Sequence, residues 1–321
     1  MSLFRWLALF ACFMSLAALA QPYPSRPVRV LIPFTAGSAA DIIARAMEPA
    51  MRERLGQPFV VDNRGGAGGN IAAEMTARST PDGYTIMMAT IGTHAINHSL
   101  YSKPSFHPQR DFTPVGLVGE SPNALVINPK VQAASIQELV ALAKSKPGGL
   151  NYGSSGSGTT VHLSAELFSV MTGIKMTHVP HKGAAEALAS LLGGQTDLMF
   201  ASLSSSIPLI KAGRLRAFAV TGAKRSPSIP ELPTVAEAAG LPGYEASAWF
   251  GIVGPAGMPR TAVAALNKAA LSSLDDAEVR KRLFNAGVEI RVSSPQDFAR
   301  YIESEMRKWE KVVKASGAKV D

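Results

Sequence analysis

Three small-residue turns, each leading from an apolar run towards a helical pattern, are where this chain could hold a ligand. The first is Pro33-Phe34-Thr35-Ala36-Gly37-Ser38-Ala39-Ala40-Asp41. A helix beginning here exposes backbone N–H groups that have no intrahelical acceptor, and these favour a carboxylate or phosphate. An ordinary tight connection accounts for the same residues, and the turn alone does not choose between the two. The second is Gly153-Ser154-Ser155-Gly156-Ser157-Gly158-Thr159-Thr160. Its hydroxyls and flexible backbone can surround an anion with neutral donors. It fails G-x-S-x-G because Ser157 takes the last position, fails G-x-G-x-x-G at Val161, and lacks the lysine of a P-loop. The third, Arg64-Gly65-Gly66-Ala67-Gly68-Gly69-Asn70, misses the dinucleotide fingerprint at Ile71 and reads as a loop packed closely on a helix.

Catalytic and metal chemistry find less support. The six histidines (His94, His98, His107, His162, His178, His181) include no H-E-x-x-H, and the single cysteine is Cys12. His94 and His98 share an i, i+4 spacing, but Gly92 and Asn97 make that stretch a poor helix. No serine stands in an activating context, so no enzyme, metal or cofactor is expected. A secreted α/β hydrolase is the rival reading.

The opening of the chain sets its compartment. Arg5 precedes an apolar run over 6–20, and Ala18-Leu19-Ala20 is a small-x-small cleavage signature before Gln21. This is the pattern of a secretory signal peptide over 1–20, too short for a spanning helix. Cleavage leaves 301 residues, removes Cys12 and takes the formal charge from +8 to +7. Stability must then come from a buried core without disulfides, and the length suits two lobes. The cations are spread along the chain with no basic run interleaved with aromatics, so nucleic acid is not a partner.

Alternation of apolar runs and helical periodicity places the turns. Strands are expected at 28–33, 59–62 and 84–89, with helices at 39–55 and 70–79. A second set has strands at 124–127, 150–152, 175–179, 197–201 and 215–220, with helices at 160–172 and 184–192. A further helix over 135–144 carries a Ser135/Glu138 capping box. Residues 226–242 read as irregular, 249–253 as a strand, and everything after Pro259 as helix, with Phe298, Tyr301, Ile302, Met306, Trp309 and Val313 on its packing face. The class is α/β, a parallel or mixed sheet in each of two lobes with a helical C-terminal tail. Crossovers at 120–123 and 244–248 give lobes of 21–123 completed by 246–321, and 124–245.

Many short ordered motifs carry a family resemblance. They include Tyr23-Pro24-Ser25-Arg26-Pro27, the first turn with Ile42-Ile43-Ala44-Arg45, and Val61-Asp62-Asn63-Arg64-Gly65-Gly66. Further along stand Pro81-Asp82-Gly83-Tyr84-Thr85, Leu150-Asn151-Tyr152-Gly153-Ser154, His162-Leu163, His178-Val179-Pro180 with Lys182-Gly183, Leu232-Pro233-Thr234 and Gly254-Pro255-Ala256-Gly257. Over essentially the whole mature length the chain resembles the Bug-type extracytoplasmic receptors of tripartite tricarboxylate transporters. The resemblance implies a two-lobe, type II periplasmic-binding-protein fold that closes on a small mono- or dicarboxylate and delivers it to membrane permease subunits, the receptor being a monomer. It implies ligand contacts at Phe34, Thr35, Ala36, Ser38 and Ala39 on one side and Ser154, Gly158, Thr159 and Thr160 on the other. Thr90, Thr93, Ser202 and Ser204 are implied lining groups. Asp41 is expected to brace the first loop, with contact to a ligand hydroxyl or ammonium open; His181 is a ligand donor or an interface residue. The chain departs from the family at Ala36-Gly37-Ser38, where a double glycine is usual, at His181, where tyrosine is common, and at Ala201-Ser202, where Asp-Asn is frequent. Loss of that Asp favours a plain carboxylate over an amino acid. A sensor subunit presenting its ligand to a membrane kinase is the alternative role.

Overall fold

The computed structural model describes residues 23–181 and 183–319, apart from the side chain of Ser204. The expected signal peptide, its cut after Ala20, Cys12 and Lys182 lie outside the described residues. Strands β1 (Val28–Ile32), β2 (Phe59–Asn63), β3 (Thr85–Thr90), β4 (Phe112–Ser121), β10 (Ala248–Pro255) and β11 (Glu289–Ile290) form one sheet, in the order β11-β4-β10-β3-β1-β2. Strands β5 (Asn123–Ile127), β6 (Asn151–Ser154), β7 (Thr177–Pro180), β8 (Leu198–Ser202) and β9 (Arg216–Val220) form the other, in the order β7-β6-β8-β5-β9. Around them lie α1 (Ala39–Leu55), α2 (Asn70–Ala77), α3 (Asn97–Leu100), α4 (Ile136–Ser145), α5 (Thr160–Thr172), α6 (Ala184–Gly193), α7 (Leu203–Lys211), α8 (Val235–Ala239), α9 (Arg260–Leu274), α10 (Ala277–Asn285) and α11 (Pro295–Ser316).

Both sheets are mixed. β1 pairs parallel with β2 and β3, as strand–helix alternation requires, but β10 enters antiparallel between β3 and β4. In the second sheet β6 is parallel to β7 and β8, whereas β5 is antiparallel to β8 and β9. The antiparallel strands are the ones on which the chain passes between sheets. β4 leaves the first sheet at Ser121, and β5 starts the second at Asn123.

Five other local expectations are corrected. β4 escaped the sequence pattern because Pro114, Gly116 and Gly119 make it look like a loop. The glycines are there for close approach: a Cβ on Gly116 would stand 2.6 Å from Asn267 Nδ2, and one on Gly119 3.0 Å from the Glu289 carbonyl. The irregular stretch 226–242 holds α8, nucleated by a capping box in which Thr234 and Glu237 satisfy each other's backbone N–H. At α4 only half of that motif forms: Ser135 caps Glu138 N–H, but the Glu138 carboxylate accepts from Ala134 N–H. Residues 92–100 are helical after all, one π-type turn running into α3, and β11 interrupts the C-terminal helices.

The tail helix α11 follows its expected face, with Phe298, Ile302, Trp309 and Val313 buried and Tyr301 and Met306 packed beside them. Its core holds one buried carboxylate. Glu305 Oε2 accepts from the indole N–H of both Trp249 and Trp309, each at 3.0 Å, and Lys308 pairs with the same side chain. Glu305→Leu leaves two buried N–H donors without partners and is expected to lower unfolding free energy by on the order of 3 kcal/mol, read by chemical denaturation.

The two interstrand connections are tied to each other. Thr221 Oγ1 accepts from Asn123 N–H at 2.8 Å and donates to the Ala246 carbonyl at 3.2 Å. On the surface above, Arg291 donates to both Glu120 and Glu245 while its guanidinium lies 4.7 Å from the centre of the Tyr301 ring.

Candidate functional site

One cavity of about 450 Å³ lies between the sheets and gathers the ends of several strands and helices. The first turn feeds it from β1. Ser38 is the N-cap of α1 and accepts from Asp41 N–H, and Gly37 takes the left-handed conformation that the turn needs. Phe34, Ala39 and Ala40 line the cavity. The N–H groups of Ala39 and Ala40 belong to the first helical turn, which has no intrahelical acceptors.

Thr35, Ala36, Ser38 and Asp41 are not among the cavity's lining residues. Asp41 is buried and committed to the loop: one carboxylate oxygen accepts from Gly37 N–H at 2.9 Å, the other from Arg45 Nε at 2.8 Å and Asn63 Nδ2 at 3.1 Å. Burial pushes its carboxyl up, but Gly37, Asn63 and Arg45 outweigh this and hold it below the usual carboxylate range. Its role here is bracing, as Asn63 Nδ2 also donates to the Phe34 carbonyl. Asp41→Ala is expected to cost on the order of 1–2 kcal/mol of ligand affinity through loop disorder, measured by titration calorimetry.

The second turn supplies the opposite wall. Ser155, Ser157, Gly158, Thr159, Thr160 and Val161 line the cavity. Thr159 is the N-cap of α5, accepting from His162 N–H and donating to the Gly156 carbonyl at 2.7 Å. Ser154, expected at the ligand, is instead fully buried beneath the loop, where its hydroxyl meets His178 Nε2 at 2.7 Å and accepts from Gly156 N–H.

Under that loop lies a stack of rings the sequence did not announce. His162 and His178 are 4.0 Å apart and nearly parallel, and Tyr152 stacks on His178 at 4.9 Å. Gly158 N–H donates to His162 Nδ1 at 3.0 Å, so this ring must be neutral to hold the loop. Burial, then His178, pushes His162 down to about 3; burial, then His181, pushes His178 down to about 4. Tyr152 donates to Glu166, whose carboxyl burial raises above its ordinary value. His181 itself is not a lining residue; its backbone N–H donates to the Ser154 carbonyl.

Thr90 and Ser202 line the cavity, whereas Thr93 is fully buried behind Thr90, donating to its carbonyl and accepting from its N–H. Ser204 lies in α7, and its side chain is outside the described residues. Other lining residues come from positions without a sequence signal: Ile91, Gly92, Ile96, Asn97, Leu100 and Tyr101 after β3, Ser121 and Asn123 at one connection, Ala184 at the start of α6, and Ala248, Trp249 and Phe250 on β10. Gly68 of the third turn also faces it, with its carbonyl bonded to Asn97 Nδ2, so that turn does more than pack on a helix. Among the described residues, no lysine, arginine, histidine, aspartate or glutamate lines the cavity.

Two helix N-termini from different sheets thus share one cavity whose described lining residues carry no charge. The family model for the tripartite tricarboxylate transporter family receptor, TctC, matches residues 43–318. The chain belongs to the TctC family. Protein BugT of Bordetella pertussis is 33% identical over 326 residues, covering all of both chains. Among solved structures, Rpa4515 of R. palustris with adipate is 41% identical, covers 93% of this chain and all of its own, and superposes with a TM-score of 0.78. MatC (Rpa3494) from Rhodopseudomonas palustris with bound malate is 34% identical, covers 91% and 100%, and has a TM-score of 0.75. The chain is therefore a solute-binding receptor of the TctC family, and receptors of this family are periplasmic. Among the described residues no helix is long and apolar enough to cross a membrane.

Proposed function

We propose that this TctC receptor captures a small organic carboxylate in the cavity between its sheets and hands it to the membrane permease of a tripartite transporter. The observation that carries the reading is a cavity lined by the first turns of α1 and α5, with hydroxyls on one side and no charged side chain among the described residues. Oriented neutral donors at helix N-termini suit an anion, and they act strongly where water is scarce. The adipate and malate in the two relatives support the same class of ligand.

In this reading residues 1–20 are a signal peptide, and 21–123 with 246–321 form one lobe against 124–245. The lobes close about 120–123 and 244–248, and the receptor acts as a monomer without catalysis. The Ser154–His178 pair does not argue for a hydrolase: Ser154 is fully buried, neither residue lines the cavity, and His178 is sandwiched with the His162 and Tyr152 rings, no carboxylate among the described residues bonding its imidazole. Thermal-shift measurements with mono- and dicarboxylates, amino acids, sugars and inorganic phosphate test the proposal. Carboxylates are expected to stabilise, by about 2.7 kcal/mol at a hundredfold excess over Kd. Stabilisation by sugars or phosphate alone would overturn the ligand class.

A further inference from the structure

The polar side chains around the waist of the cavity are not idle donors. Asn97 Nδ2 donates to the Gly68 carbonyl at 3.0 Å and to Asn70 Oδ1 at 2.7 Å. Ser121 donates its hydroxyl to the Gly287 carbonyl at 3.0 Å, and Asn123 Nδ2 donates to Ser164 at 3.1 Å. Thr90 Oγ1 lies within 3.4 Å of both the hydroxyl and the N–H of Thr93. Between these groups the walls are hydrocarbon: Phe34, Ile91, Ile96, Leu100, Val161 and Phe250. Donor capacity is greatest at the helix mouths, in the first-turn N–H groups of α1 and α5 and the hydroxyls of the second loop, with Ala184 at the start of α6, Ser202 before α7 and Tyr101 adding to it.

We infer that the ligand is a carboxylate with an unsubstituted hydrocarbon body of six or more carbons, its charge confined to its ends. This rests on the carboxylate reading above and narrows it. A carboxylate or hydroxyl carried in the middle of the ligand would lose its water and meet walls of hydrocarbon and of side chains whose donors, apart from the second Asn123 amide N–H and the Tyr101 hydroxyl, are already committed, and an oxygen left without a donor is costly. Size points the same way. The cavity, about 450 Å³ and open on one side, has room for a body longer than that of a four-carbon acid, which would leave much of the hydrocarbon wall uncovered. The malate of MatC, a short hydroxy acid, is the kind of ligand this site should bind poorly.

Titration calorimetry with adipate, suberate and phenylacetate against malate, tartrate and citrate tests the inference. The first three are expected to bind about 10- to 100-fold tighter, the range over which an apolar pocket discriminates against one added hydroxyl. Ile91→Thr places a hydroxyl in the hydrocarbon wall and is expected to narrow the adipate-to-malate ratio by about tenfold. Malate, tartrate or citrate binding as tightly as adipate would overturn this inference while leaving the carboxylate reading intact. If the folded protein, verified by circular dichroism, bound none of the six but did bind a sugar or phosphate, both would fall; if it bound nothing at all, the inference would fall.

Discussion

Gly158→Val is expected to weaken carboxylate binding by about fiftyfold, or on the order of 2–3 kcal/mol. Gly158 holds φ at +77°, where a β-branched residue is a steric outlier, and a Cβ there would stand 2.5 Å from Leu100 Cδ2 on the facing helix α3. Leu100 is itself buried and lines the cavity, so moving it aside pushes it into the ligand's space. The alternative is for the loop to lift, which carries Thr159, Thr160 and Val161 away from the opposite wall. Gly173→Val is the control. Its φ of +67° imposes similar backbone strain, but nothing lies within 4 Å of its added Cβ. It should lower thermal stability and leave affinity unchanged. Equal affinity losses in both variants would mean that strain alone, not the meeting of loop and helix, accounts for the effect.

Acid is expected to destabilise the fold steeply, because buried histidines are held neutral. Burial pushes His94 down to about 3, and its ring sits 4.5 Å from Phe112 with Nδ1 against Thr93 Oγ1 at 2.9 Å. His162 lies at about 3 and His178 at about 4. In the unfolded chain these side chains titrate near 6.5, so between there and 3–4 the unfolded state binds more protons. The stability they confer is complete above about pH 6.5 and is lost progressively as pH falls towards 4, at roughly 3 kcal/mol for each of the buried His94 and His162 and less for the half-buried His178. Since a small difference of about 5–15 kcal/mol separates native from unfolded chains, unfolding near pH 4 is expected. Protonating His162 at Nδ1 also removes the acceptor of Gly158 N–H, so affinity should fall in the same window. Melting temperature followed from pH 7.5 to 4 in wild type and His94→Leu reads both the slope and its source. A flat wild-type profile would refute the account, as would a slope that His94→Leu leaves unchanged.

Local periodicity made the scaffold of the site legible. α1 begins and ends where the pattern places it, at Ala39 and Leu55, and α5 does so at Thr160 and Thr172, because Ser38 and Thr159 are strong N-caps and glycines follow both helices. The two turns that carry anion-binding potential stand at those caps, and the structure puts both on one cavity. What local pattern could not carry was pairing between distant segments. β4 and β10 are antiparallel neighbours whose glycines answer to Asn267, Glu289 and Phe298, contacts more than a hundred residues away in most cases. The same limit applies to side-chain direction. Ser154 and Thr160 look alike in the motif, yet one faces His178 beneath the loop and the other the cavity. Ile91, Ile96 and Leu100 form the apolar wall from a stretch whose Gly92 and Asn97 disguise its helical turns. Of the histidines, His162 and His178 stood in quoted motifs, but nothing in their spacing of sixteen residues indicates that they stack.

The account depends on α1 and α5 presenting their first turns to the same bound anion-bearing molecule. A crystal structure of the protein with adipate measures this most directly. The expected result is one carboxylate about 3 Å from backbone N–H groups at residues 34–40, with the rest of the molecule crossing to residues 157–161. Adipate bound outside the cavity, or held there by a lysine or arginine brought in from elsewhere, would contradict it.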